Sequence, residues 1–175
     1  MTTPSGSISL AAEYAAATLA DCPAFRTWCG ADDAAQARGR IWFDALPPPN
    51  DQEEHTLDEL QMYRPYVLIF VRSFARSQLS TGTSYEFGSE GSMGMEFFQD
   101  VLAEIKNQAA EISLRFNNAI GTIIDELCDR AGTGGRLAFK RITMDEPCVR
   151  TGKDEAATYG DALFVRLTLE WADNA

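Results

Sequence analysis

The sequence predicts an α+β fold: an antiparallel sheet of four or more strands, one long amphipathic helix packed on it and a shorter N-terminal helix, all in a single domain over residues 1–175. Three observations carry that expectation. Residues 161–171 alternate, with Leu163, Val165, Leu167, Leu169 and Trp171 on one face and Phe164, Arg166, Thr168 and Glu170 on the other, the period of a half-buried strand. Leu102, Ile105, Ala109, Ile112, Phe116, Ala119, Ile123 and Leu127 step by three or four, the period of a helix with one apolar stripe. A chain of 175 residues with 45% apolar and 23% charged side chains can also bury enough surface to offset its chain entropy without staples.

Each element follows from local chemistry. Residues 7–20 are rich in alanine, the best helix former, and the helix should stop near Pro23. Pro23-Ala24-Phe25-Arg26-Thr27-Trp28 can add a short turn that points Phe25 and Trp28 the same way, with Gly30 ending it. Residues 41–46 read as a strand halted by Pro47-Pro48-Pro49, which cannot donate ladder hydrogen bonds. Thr56 and Glu59 form a capping box that opens a short helix to about Met62. Residues 66–71 are apolar on both alternations, so they predict a central strand covered on both sides.

Residues 77–91 are dominated by Ser, Thr and Gly and predict a flexible connection or an extended hairpin arm, with Gly88-Ser89-Glu90-Gly91 as a turn. Residues 93–98 are a candidate strand. The long helix should begin between Asp100 and Gln108 and end near Arg130, with Gly132 close to its cap and Gly132-Thr133-Gly134-Gly135 as a turn. It places Cys128 on the apolar side and Glu104, Lys106, Glu111, Arg115 and Glu126 on the face toward water or a partner. Residues 137–144 form a strand expected to end at Glu146-Pro147, and residues 150–155 form a polar loop.

Chemistry is sparse. Lys and Arg number 15 against 26 Asp and Glu, a net charge of -11 that opposes any broad attraction to phosphate. No run is long enough to span a bilayer, and the first residues carry no basic group ahead of an apolar core, against a secretory signal. Cys22, Cys29, Cys128 and Cys148 lack the close spacing of zinc or redox sites and read as reduced structural thiols. One histidine, His55, cannot build a two-histidine metal motif. Beside Glu53 and Glu54 it suggests a hard-metal or general-base site, but a solvated acidic loop accounts for the same residues. The glycine-rich segments lack the Lys-Ser/Thr of a phosphate-binding loop. The expectation is no enzyme, no cofactor and no metal.

The order of elements resembles the tail terminator or tail-completion proteins of long-tailed bacteriophages. The residues that carry the resemblance are Pro23-Ala24-Phe25-Arg26-Thr27-Trp28, Arg40-Ile41-Trp42-Phe43-Asp44-Ala45-Leu46 with its proline tail, Arg64-Pro65-Tyr66, and residues 162–171. The resemblance implies a virion structural protein in the tail or neck, assembled in the host cytoplasm. It implies a hexameric ring that caps the tail tube and joins it to the head. Its partners would be further copies of itself, the tube protein and head–tail connector proteins, with DNA passing through the channel without specific binding and no membrane contact. An acidic channel wall would repel phosphate, in keeping with that duty.

A ring needs different patches on the two sides of each subunit. The candidates are the proline loop with Pro47, Pro48, Pro49, Glu53 and Glu54, the arm with Tyr85, and the 145–160 loop with Arg150. Arg64, Arg72 and Arg76 are further candidates to meet carboxylates across an interface. The competing readings are another neck component contacting the portal, a carboxylate enzyme using Asp44, Glu86 and Glu96, and a regulatory binding protein whose acidic loop mimics nucleic acid.

Overall fold

A computed structural model describes residues 6–47, 56–81, 84–101, 109–130, 137–150 and 162–173. The alanine-rich start forms α1 (Ser7–Asp21), and Cys22 leads directly into α2 (Pro23–Cys29), where Pro23 occupies a first-turn position that needs no N–H donor. Gly30 closes α2 with φ 68°, a left-handed cap that glycine adopts without a Cβ clash. A third helix, α3 (Ala34–Arg38), follows, with the Asp33 carboxylate accepting the Gln36 N–H at 2.8 Å. This helix was missing from the sequence expectation although its signal is local: Asp33 precedes Ala34-Ala35-Gln36-Ala37. Then come β1 (Ile41–Phe43) and α4 (Leu57–Tyr63). The capping box of α4 is complete: Glu59 N–H donates to Thr56 Oγ1 at 3.3 Å and Thr56 N–H to Glu59 Oε2 at 2.8 Å.

Two long strands, β2 (Tyr66–Thr81) and β3 (Ser84–Asp100), form a hairpin; α5 (Ala109–Arg130), β4 (Leu137–Arg150) and β5 (Ala162–Asp173) follow. The five strands lie in the order β1-β2-β3-β5-β4. The sheet is mixed, which corrects the antiparallel expectation: β1 runs parallel to β2, with Ile41 opposite Val67, and the remaining pairs are antiparallel. A parallel neighbour needs a crossover, and the stretch holding α4 supplies it. β3 holds the centre, while β2 is second from the edge, and on its outer side, among the described residues, lie the three residues of β1.

Three further expectations change. Residues 88–91 lie inside β3, paired with β2 throughout and with β5 from Ser89 onward. Their glycine serves close approach: a Cβ on Gly91 would overlap the Ser73 carbonyl oxygen and touch the Trp171 indole at 3.0 Å. The strand at 137–144 runs on to Arg150, with register shifts around Glu146 that absorb Pro147. Cys128 is exposed, because α5 turns Leu127 to the core and the next residue lies about 100° around the helix. The expected start of the long helix over 102–108 and the turn at 132–135 lie outside the described residues.

One face of the sheet is roofed by helices. Val67, Ile69, Met93, Met95, Phe97, Val165, Leu167 and Leu169 point into it, all 1% exposed or less. Leu19 of α1, Phe25 of α2 and Phe116, Ile120 and Ile123 of α5 close it from above, as the alternation and the helical stripe require. Trp28 stacks on Phe116 at 6.1 Å and meets Phe97 edge-on at 5.5 Å, geometries that add to simple burial. Glu126, expected on the solvent side of α5, reaches α2: its carboxylate accepts the Ala24 N–H at 3.0 Å. A carboxylate at that helix start satisfies an orphan donor and opposes the positive end of the dipole, so it pins α2 to α5.

Candidate assembly surface

β1 stops after Phe43, and Asp44 takes φ 60°, a left-handed conformation that turns the chain away from the sheet. Its N–H still donates to the Ile69 carbonyl at 2.9 Å, the last bond along this edge among the described residues. From Phe70 onward β2 has no outer neighbour among the described residues. Residues 71–76, Val-Arg-Ser-Phe-Ala-Arg, are exposed one after another, with Val71 at 42% and Phe74 at 44%. An edge strand presenting unpaired N–H and C=O groups beside apolar side chains is a template for another strand.

Two concavities flank this edge. Between it and α1 lies a cleft of about 390 Å³ lined by Ile8, Ala12, Glu13, Phe43, Asp44 and Val71. Further along, a second of about 360 Å³ is bordered by Phe74, Glu90, Gly91, Lys140 and Trp171. Phe74 stacks on Trp171 with ring centres 6.2 Å apart, directly over Gly91. The hairpin then continues past the sheet. β5 last meets β3 at Asp173 opposite Ser89, whereas β2 and β3 stay paired to Thr81 and Ser84. Residues 77–81 and 84–88 therefore form a two-stranded arm of about 17 Å, at 3.3 Å per residue. Of the residues 77–91 expected to form a flexible connection or an extended hairpin arm, 77–81 and 84–88 are regular strand and 89–91 lie within the sheet.

The sheet face away from the main helices is polar and internally paired. Arg166 Nε donates to Glu96 Oε1 at 2.7 Å and its guanidinium lies 3.7 Å from Glu146. Arg72 donates to Asp145 at 3.0 Å and to Thr168 at 2.5 Å. Tyr66 stacks on Phe98 at 4.9 Å, and Phe98 on Phe164 at 6.0 Å. At the β1 end, Tyr63 of α4 meets Trp42 edge-on at 5.9 Å.

The residues named from the sequence are dispersed over this framework. Pro47 is half-buried at the limit of the described chain, and Pro48, Pro49, Glu53, Glu54 and His55 fall outside it. Arg64 is turned inward: its side chain is 1% exposed and donates to Asp100 at 2.7 Å, while Nε and Nη2 are buried without a hydrogen-bond partner. Such a side chain is spent inside the subunit and does not extend toward a neighbour. Arg72 is paired across the sheet face, and Arg76 is exposed on the β2 edge. Tyr85 lies on the arm opposite Ser80, and Arg150 ends β4 opposite Leu163.

Two acids of the enzyme reading, Asp44 and Glu96, do not converge, and the Glu86 side chain lies outside what is described. Asp44 lines the cleft on the helix side, and Glu96 is paired with Arg166 on the opposite face. Among the described residues no group of three His, Cys, Asp or Glu side chains could hold a metal ion. Burial pushes the Cys22 thiol up to about 11 and raises those of Cys29, Cys128 and Cys148, so none is primed as a thiolate near neutral pH. No described helix is long and apolar enough to cross a membrane. The surface missed by sequence reasoning is the β2 edge at Val71 and Phe74. Its signal was an apolar strand running on into Arg72-Ser73-Phe74-Ala75-Arg76, but openness depends on where β1 ends.

Neither a protein-family model nor a curated protein matches this chain. Among solved structures, a chain described as "Virion of native gene transfer agent (GTA) particle" superposes with a TM-score of 0.44 and 13% identity, over 98% of this chain and 100% of that one. At that level of similarity neither fold nor function is inherited.

Proposed function

We propose that this chain is a virion structural subunit of the tail-terminator kind, which assembles with copies of itself into a ring, hexameric in the resemblance, that caps the tail tube and joins it to the head. The observation that carries the reading is the β2 strand. Among the described residues it is half embedded in the core and half without a neighbour on its outer edge, and it ends in an arm that runs past the other described strands. A monomer gains nothing from an open apolar edge, which is an aggregation hazard unless assembly covers it. The candidate interface residues on this surface, Arg72, Arg76 and Tyr85, then lie where a neighbour would dock.

Charge supports the same duty. A net charge of -11 opposes any broad attraction to phosphate, in keeping with a ring that lets DNA pass without holding it. The cap works by occupancy: a ring seated on the last tube layer covers the surface that the next layer would use and offers its other side to connector proteins. The test is the copy number of the chain in purified particles, with its position fixed by labelling. About six copies at the head-proximal end of the tail are expected. Copies at the portal would instead make it another neck component, and a chain absent from particles would overturn the reading.

A further inference from the structure

We draw no further inference here: the strongest candidate, the cleft of about 390 Å³ between α1 and the β2 edge lined by Phe43, Asp44 and Val71, belongs to the assembly surface already described, and nothing in the structure shows which ligand or chain segment would fill it.

Discussion

β2 meets two environments along a single strand. Over Tyr66, Val67 and Ile69 it is at most 1% exposed, with β1 alongside and helices above. A few residues on, Val71 and Phe74 have the same apolar chemistry and stand 42% and 44% exposed. Side-chain type is therefore not what separates the halves. The difference is the neighbour: β1 ends at Phe43 and Asp44 turns the chain away. The first half builds the monomer, and the second is left for something else to cover.

That contrast can be broken from either side. The largest effect on stability should come from the covered half: Ile69→Ala removes buried methylenes under α1 and should cost about 2–5 kcal/mol in denaturant unfolding. At the boundary, Gly91→Ala forces a Cβ against the Ser73 carbonyl oxygen and the Trp171 ring and should cost about 1–3 kcal/mol, with a visible change in tryptophan fluorescence.

A pH effect should follow from Cys22, buried where α1 meets α2. Its thiol donates to the Thr18 carbonyl at 3.2 Å, and burial pushes it up to about 11, above the ordinary 9.0 of a cysteine thiol. A native value above the unfolded one means that the folded chain holds the proton more tightly. The stabilisation is complete below about pH 9 and is lost as pH rises toward 11. Thermal melts should fall across that window, and Cys22→Ala should flatten the fall. The smallest effect on folding should be that of Val71→Lys, under about 0.5 kcal/mol because the side chain is already in water. The same change should weaken self-association, and a loss of monomer stability as large as that of Ile69→Ala would erase the contrast.

Where the chemistry is local, the sequence was readable. The Thr56–Glu59 box, the Gly30 cap and the alternation of β5 each depend on residues a few positions apart, and each stands as expected. Where it is not, the reading failed for identifiable reasons. Three residues of β1 carry no mark of strand direction, so the parallel pair was invisible. The glycines at 88–91 resembled a turn because their actual cause, the Trp171 indole lying against Gly91, is 80 residues away in the chain. Cys128 was misplaced by one position of helical phase beside Leu127. The candidate surface was half legible: the arm and the arginines that precede it, Arg72 and Arg76, could be named from polarity, but Arg64 turned inward to Asp100, and the open edge at Val71 and Phe74 follows from where another strand stops.

The central claim is that the bare half of β2 exists to be covered by another copy of this chain. Sedimentation of the purified protein over a range of concentrations, beside Val71→Lys, tests it most directly. The account requires a closed multimer of a single size for the natural chain, and a shift to monomer for the variant with an unchanged unfolding midpoint. A natural chain that stays monomeric at every concentration, or a variant that assembles as well as its parent, would contradict it.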